Sequence, residues 1–383
     1  MYSLAIVLSV GLGCGGGEEL NGCSPVCTDA QLCHLDTGLC IDRVSAVLGS
    51  ADIAENFDAT MVGERVYVAI YDRVYDRYLI GERDSGQSLF SWQTVFLGAG
   101  IEPGVSPALS LLVRNEAPLL VAQSGESEVV AIHPGATGWV ITSLAVLEQP
   151  VAYLDAVRVG AQSVHVVTAS PSGELTFLST EEPRGLPVPV VADQLGTVRA
   201  PAVLVRLAGR TSIFAALAPA GLATLSRVND SEWSGNLLDE HAVPLSLDVL
   251  QTSQGLLTTF HDGATGGIRL VIGADDEVTV EDLVSSILPA EKTAIAGSLK
   301  LSLARGIDES SAYLAYYDFS GKATLLLRMD SPYDWSPVVS LPSVETLVPA
   351  LVAQPGLPPI GLAIQLSSMG TGSFLELDLF DGP

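Results

Sequence analysis

Basic residues are scarce in this chain. Its 383 residues include 18 lysines and arginines against 44 aspartates and glutamates, which gives a formal net charge of −26. A chain this acidic repels nucleic acid and anionic lipid headgroups, so nucleic acid is disfavoured as a partner. Charged residues of both signs make up only 16% of the chain and hydrophobic residues 48%, a composition that supplies a sizeable core and disfavours disorder.

Long hydrophobic runs are also missing. The apolar opening, residues 1–13, is too short to cross a bilayer, and no later stretch has the length and purity of a membrane span. An apolar opening of this length that ends in small residues predicts an export signal. The run Gly15–Gly17 that follows lacks the lysine of a phosphate-binding loop, and we interpret residues 14–22 as a flexible tether.

Cysteine is absent after residue 40, and the five cysteines all lie in the first 40 residues. Cys23, Cys27, Cys33 and Cys40 form an even set with the spacing C-x3-C-x5-C-x6-C. This spacing lacks the paired C-x2-C of a structural zinc site, so in an exported protein it predicts two disulfides. The three possible pairings stay open. We expect residues 23–42 to form a small disulfide-rich module.

The remaining cysteine, Cys14, follows Gly13 and closes the apolar opening. This junction resembles the lipobox of bacterial lipoproteins, in which the cysteine is lipidated and becomes the mature N-terminus. The chain departs from that family at Gly11, where leucine is usual, and in having no lysine or arginine before Arg43. The resemblance implies an outer-membrane lipoprotein of a bacterial cell envelope, because Gly15 is not the aspartate that often retains lipoproteins at the inner membrane. An ordinary cleaved signal with an incidental cysteine is the alternative.

From about residue 43 onward, short runs rich in valine, isoleucine, leucine and threonine recur between turn residues, which predicts an all-β fold. Seven of these runs look like the same strand, with starts 44 to 56 residues apart. They are Val66–Asp72, Ala117–Gln123, Val164–Ser170, Ser212–Ala218, Leu256–Asp262, Ala312–Asp318 and Pro359–Gln365. The four tryptophans, Trp92, Trp139, Trp233 and Trp335, mark a later strand in four units.

Four strands per unit at this period resemble a β-propeller, in which each unit is one blade. We therefore expect residues 43–383 to form a propeller of seven four-stranded blades, with six blades as the alternative. Residues 43–50 are predicted to be an extra strand that pairs with the last blade and closes the ring, since closure removes an exposed sheet edge.

Catalytic motifs are weak. Tyr71–Asp72, His261–Asp262 and Tyr317–Asp318 end equivalent strands, but an aspartate there is expected to cap the turn that follows. The repeats are similar to those of sialidase-type propellers, yet only Asp84 and Gly86 match an Asp-box, and Trp92 lies three residues too late. No catalytic residue is therefore assigned.

Metal and cofactor motifs are equally weak. The histidines never occur as close pairs, which leaves no transition-metal spacing; they are His34, His133, His165, His241 and His261. The acidic runs 275–277 and 229–232 lack the glycine punctuation of a calcium loop. We expect no metal and no cofactor.

Two functional hypotheses remain. The first is a lipid-anchored, non-enzymatic binding or scaffold propeller whose ligand is a protein or a carbohydrate and whose only membrane contact is the lipid on Cys14. The alternative is a carbohydrate-active enzyme, glycosidase- or sialidase-like, on the same scaffold, because two placed carboxylates would suffice and the chain has 44 acidic residues.

Overall fold

A computed structural model describes residues 31–34, 39–42 and 53–377, apart from gaps at 55, 85–86, 88–89, 104, 162, 182–185, 193, 208, 230–231, 254, 275–276, 283–300, 309, 319–322, 332–333, 343–345, 355 and 367–371. All of the regular secondary structure in these ranges is β-strand. No helix with the length and hydropathy needed to cross a membrane occurs among them. The predicted all-β class is confirmed.

The strands form a propeller, and six of its sheets have four strands each within the described ranges. An N-terminal hairpin precedes them, formed by β1 (Gln31–His34) and β2 (Leu39–Asp42). Blade 1 has β3 (Asp58–Val62), β4 (Arg65–Asp72), β5 (Arg77–Asp84) and β6 (Ser91–Leu97), and blade 2 has β7 (Leu109–Arg114), β8 (Ala117–Ser124), β9 (Glu128–Pro134) and β10 (Trp139–Val146). Blade 3 has β11 (Tyr153–Arg158), β12 (Val164–Ala169), β13 (Leu175–Ser179) and β14 (Val188–Pro189), and blade 4 has β15 (Thr197–Leu207), β16 (Arg210–Ala218), β17 (Leu222–Arg227) and β18 (Trp233–Asp239). Blade 5 has β19 (Pro244–Thr252), β20 (Gly255–Asp262), β21 (Gly267–Ala274) and β22 (Glu277–Asp282), and blade 6 has β23 (Ser302–Arg305), β24 (Ala312–Asp318), β25 (Ala323–Ser331) and β26 (Asp334–Pro342).

The two ends of the chain share one further sheet, which we call the terminal sheet. It contains β27 (Thr346–Gln354), β28 (Leu357–Leu366) and β29 (Gly372–Leu377), and its strand order is β1-β2-β29-β28-β27. Its innermost strand, β27, contacts β23 of blade 6 and β3 of blade 1. The sheets therefore follow one another in a closed ring.

The prediction of seven four-stranded blades is corrected by this arrangement. Six four-stranded blades are found in the described ranges, and the terminal sheet has five strands because the N-terminal hairpin adds two strands to the last three. The strand paired with β29 is β2, through Ile41 and Leu375, whereas we expected residues 43–50 in that place. Residues 43–50 lie outside the described residues.

The second strand of each blade is buried on both faces, because each blade is covered by a neighbour on either side. All seven predicted runs coincide with second strands, although Val164–Ser170 extends one residue beyond its strand: β4, β8, β12, β16, β20, β24 and, in the terminal sheet, β28. Small residues recur there, and Ala69, Ala122, Ala215 and Ala315 are each fully buried. Small side chains at these places allow neighbouring blades to approach closely.

The fourth strand is the outermost strand of a blade, and its pattern alternates between exposed and buried residues, as in β6. All four tryptophans lie on fourth strands, as predicted. Trp92 stands opposite Gly81 in the neighbouring strand, and a Cβ at Gly81 would lie 2.9 Å from the Trp92 ring. Glycine is therefore required opposite this tryptophan.

Side chains of the innermost strands connect neighbouring blades. Asp58, Asp155 and Asp248 lie on the innermost strands of blades 1, 3 and 5, and each carboxylate accepts a hydrogen bond from a backbone amide of the next blade. The donors are Leu111, Leu204 and Leu303, at 2.8, 2.7 and 2.7 Å. Ser302 continues the pattern, since its hydroxyl accepts from the Leu351 amide at 2.8 Å. We call these three aspartates the seam aspartates.

Because every innermost strand runs in the same direction, the propeller has two distinct faces. We call the face at which the innermost strands begin the N face, and the face at which they end the C face. Hairpins between second and third strands lie on the N face with the connections between blades. Hairpins between first and second strands lie on the C face.

Candidate functional site

A cleft with a volume of about 850 Å³ opens on the N face between blades 2, 3 and 4. Three elements form it: the end of β10 with residues 147–150, the hairpin between β12 and β13, and the segment from Leu186 to Val198 that contains β14. β14 has only two residues. Pro187 and Pro189 flank Val188, and proline has no amide with which to continue a strand ladder. The cleft therefore lies where blade 3 has a shortened outer strand.

The cleft has an apolar floor and a polar side. Leu175, Val190 and Val198 are buried in its lining. Three exposed apolar side chains, Val146, Leu186 and Val191, surround it, and Leu186 is 82% exposed. Apolar surface at this place is therefore available to a ligand.

The polar side carries hydroxyl, amide and carboxylate groups from separate elements. Glu148 and Gln149 follow β10, while Glu174 lies in the β12–β13 hairpin, and all three are exposed. The Gln149 side-chain amide donates to Glu174 Oε2 at 3.3 Å. The hydroxyl of Thr168 also lines the cleft and donates to the backbone carbonyl of Thr176 at 3.4 Å. A cleft of this kind suits a ligand that has both apolar and hydrogen-bonding surface.

Two of the sequence-predicted turn aspartates, Asp72 and Asp262, have the structural role that we expected. Asp72 and Asp262 are buried at the ends of their strands. Asp72 accepts from the Val74 amide at 3.1 Å and pairs with Arg77 at 2.9 Å. Asp262 accepts from the backbone amides of Val243 and Ala264 at 2.9 and 3.1 Å. Asp318 is also buried. These three residues do not converge on a ligand site.

The partial Asp-box is likewise structural. Asp84 accepts a hydrogen bond from Arg65 Nε at 2.7 Å. Trp92 packs edge-on against Phe374 of the terminal sheet, with ring centroids 5.5 Å apart. Gly86 lies outside the described residues. Asp84 and Trp92 thus stabilise blade 1 and its seam with the terminal sheet.

No group of three or more potential metal ligands is found among the residues that the structure describes. The four described histidine side chains lie in blades 2, 3 and 5 and after blade 4; they are His133, His165, His241 and His261. Asn229 and Glu232 close a turn, since Asn229 Nδ2 donates to Glu232 Oε2 at 2.7 Å. Residues 275–276, Cys14, Cys23 and Cys27 lie outside the described residues. Cys33 and Cys40 are register partners in the N-terminal hairpin, and their disulfide state stays a prediction.

One cluster with the residue types of a catalytic triad was not predicted from the sequence. His165 Nδ1 lies 2.8 Å from the Thr211 hydroxyl, and His165 Nε2 lies 3.4 Å from a carboxylate oxygen of Glu181. Burial lowers the pKa of His165, the Glu181 carboxylate opposes that shift, and Arg227 and Arg206 add to it. Thr211 is only 9% exposed and lies in the seam between blades 3 and 4. We interpret the cluster as a seam contact, because a nucleophile must reach its substrate.

Comparison with one solved structure agrees with this architecture. The BP39L lectin from Burkholderia pseudomallei is similar over 87% of this chain and 98% of its own, with a TM-score of 0.64 and 14% identity. The shared fold is a β-propeller. A variant of AofleA from Arthrobotrys oligospora covers 86% of this chain and 88% of its own, with a TM-score of 0.48 and 10% identity. A variant of the Aleuria aurantia lectin in complex with alpha-methyl-L-fucoside covers 77% and 96%, also with a TM-score of 0.48 and 10% identity.

No family model and no curated protein sequence matches the chain. Fold alone does not determine function in propellers. A functional assignment must therefore be argued from the residues of the cleft.

Proposed function

We propose that the chain is an exported, non-enzymatic saccharide-binding propeller and that the cleft between blades 2, 3 and 4 is its binding site. The observation that carries this proposal is the combination of the apolar floor with Gln149 and Glu174 on one side. A sugar ring has an apolar C–H face and an edge of hydroxyls, so it matches both surfaces. The likeness in fold to a protein named as a lectin supports the same conclusion.

A glycosidase is the second candidate, because two carboxylates, Glu148 and Glu174, line the same cleft. A glycosidase needs one carboxylic acid that stays protonated near neutral pH, which burial in an apolar pocket normally provides. Both glutamates are exposed and therefore lack that environment. Binding without hydrolysis is the better supported function.

Replacement of Glu174 by alanine is expected to weaken saccharide binding about tenfold, because it removes a hydrogen-bond acceptor from the cleft and frees the Gln149 amide. Ligands are first found on a glycan array, and the affinity for the strongest one is then measured by titration calorimetry. Glu102→Ala is the matched control, since Glu102 is an exposed carboxylate in the N-face connection between blades 1 and 2. An array on which no saccharide is retained would contradict the proposal. Release of reducing sugar that Glu174→Gln abolishes would favour the glycosidase.

We also propose that a lipid on Cys14 holds the protein at the bacterial outer membrane, with the cysteines that follow paired as disulfides. Two observations support this proposal. The apolar opening ends at Gly13 and Cys14, and a protein this acidic needs a lipid anchor to stay at a membrane. The intact mass of the native membrane-fraction protein is expected to correspond to a chain that starts at an acylated Cys14, and Cys14→Ala is expected to leave the membrane fraction. A Cys14→Ala variant that remained membrane-bound would contradict this proposal.

A further inference from the structure

Three exposed or half-buried arginines stand at the C-face ends of three consecutive innermost strands. Arg114 ends β7, Arg158 ends β11, and Arg206 is the next-to-last residue of β15. We call these three residues the arginine arc. Arg158 and Arg206 are exposed and Arg114 is half-buried. Blades 2, 3 and 4 thus each carry one arginine at the C-face end of the innermost strand.

Contacts between blades place Arg158 near Arg114 in one seam and Arg206 in the next seam. Arg158 Nη1 donates to the carbonyl of Val113 at 3.2 Å, which brings Arg158 beside Arg114 across the seam between blades 2 and 3. Arg206 pairs with Thr211 in the strand register, and the Thr211 hydroxyl contacts His165 of blade 3. Arg206 therefore lies in the next seam, between blades 3 and 4.

The local charge around the arginine arc is opposite to that of the whole chain. Acidic residues outnumber basic ones 44 to 18 overall. In the sequence, the residues between each arc strand and the strand that follows it include one acidic residue, Glu116. Glu181, on the same face of blade 3, lies 3.4 Å from His165. The three guanidinium groups therefore outnumber the carboxylates of Glu116 and Glu181.

Arginine in this setting is suited to an oxyanion. A guanidinium has five N–H donors in a planar fork that matches a carboxylate or a phosphate. The contact of Arg158 with Val113 uses one donor and fixes the direction of the side chain, so the other donors stay available.

We propose that the arginine arc binds a single oxyanion group, a carboxylate or a phosphate carried by a sugar. A ligand with one isolated charge fits better than a densely charged polymer, because the net charge of −26 repels polyanions such as nucleic acid. The arc is separate from the cleft. Thr197 of the cleft and Arg206 of the arc lie nine residues apart on β15, which corresponds to about 30 Å of extended strand.

Three probes with the same sugar ring test the proposal in the full chain: glucuronate, glucose 6-phosphate and glucose, each titrated at low salt and followed by calorimetry. We expect both acidic sugars to bind at the arc and glucose to give no signal that depends on the arc. Binding of only one acidic sugar supports the site and identifies the oxyanion as a carboxylate or as a phosphate. Arg158→Gln is expected to weaken the binding about tenfold, the usual effect of losing one charge-assisted hydrogen bond.

Arg305→Gln is the matched control. Arg305 ends the innermost strand of blade 6, is exposed, and donates to the carbonyl of Gln251 in blade 5 at 3.2 Å. Arg305→Gln therefore loses the same kind of contact between blades as Arg158→Gln, but Arg305 has no arginine neighbour in the arc. We expect this control to keep the parental affinity for the acidic sugars. Equal weakening by the two variants, or no binding of either acidic sugar, would overturn the proposal. Glu174→Ala is expected to leave this binding unchanged, which separates the arc from the cleft.

Discussion

Replacement of Asp262 by alanine is expected to lower the free energy of unfolding by about 2–4 kcal/mol, because a buried carboxylate that accepts three hydrogen bonds is lost. Asp262 is 1% exposed. Its carboxylate accepts from the Val243 and Ala264 amides and from the Thr265 hydroxyl at 2.9, 3.1 and 3.1 Å, and it lies 3.6 Å from Arg269. Alanine would leave these partly buried hydrogen-bond donors without their acceptor.

Urea denaturation measures this loss. Asp262→Asn is expected to lie between the parent and the alanine variant, because an asparagine retains one oxygen acceptor and loses the charge. Glu102→Ala is the control for the removal of an exposed carboxylate, and its effect is expected to stay within about 0.5 kcal/mol. A loss below about 1 kcal/mol for Asp262→Ala would show that the turn does not depend on this side chain.

Asp155→Asn is expected to stabilise the protein above pH 7 and to have little effect near pH 4. Burial raises the pKa of Asp155 to about 7, and the nearby Asp58 and Asp248 carboxylates add to the shift although the Leu204 and Ala156 amides oppose it. In the unfolded chain the carboxyl ionises near pH 4. The folded protein therefore retains a proton that the unfolded chain has released, and stability falls as the pH rises from about 4 to about 7.

Asparagine is neutral at every pH and still offers an oxygen to the Leu204 amide. The variant therefore does not lose stability as the pH rises from about 4 to about 7. We expect a gain of about 2–4 kcal/mol at pH 8, measured by urea denaturation between pH 4 and pH 8. Asp308→Asn is a control for which the opposite change in stability is expected. Hydrogen bonds from Ser310 and Ser311 lower the pKa of Asp308, so its replacement is expected to reduce stability above pH 4. An Asp155→Asn variant that is less stable than the parent at pH 8 would contradict the assignment.

The blades were predictable because their pattern is strong. Buried second strands such as Ala312–Asp318 are apolar on both faces, and tryptophans such as Trp92 recur on the outer strands. Both signals depend on burial alone, and the hydrophobic residues of the sequence indicate burial directly. The correspondence between predicted runs and second strands extends through all seven units.

The seam aspartates were not predictable in the same way. The pattern of an apolar residue, an aspartate and a small or β-branched residue occurs at residues 57–59, 154–156 and 247–249. In one sequence such an aspartate looks like an ordinary solvent-facing strand residue. Its role depends on an amide about 50 residues further along the chain, as with Asp58 and Leu111, and periodicity contains no information about that amide.

The cleft and the ring closure could not be predicted from a local sequence pattern either. Pro187 and Pro189 shorten the outer strand of blade 3, and the resulting gap becomes a cleft only because blades 2 and 4 border it. The closing hairpin, with Cys33 and Cys40, lies in a segment whose cysteines predict a separate module and conceal its strand character. Pairing with the far end of the chain could not be inferred from either segment alone.

The position of the N-terminal hairpin has a consequence for how the protein would stand at a membrane. β1 is the outermost strand of the terminal sheet, so the chain enters the propeller at its outer edge, the perimeter of the disc that the blades form. About 17 residues separate Cys14 from Gln31, a reach of at most about 60 Å. An anchor attached at the perimeter covers neither the N face nor the C face. If Cys14 carries the proposed lipid, the disc is tethered by its edge, and the cleft and the arginine arc can sample the surroundings at the same time.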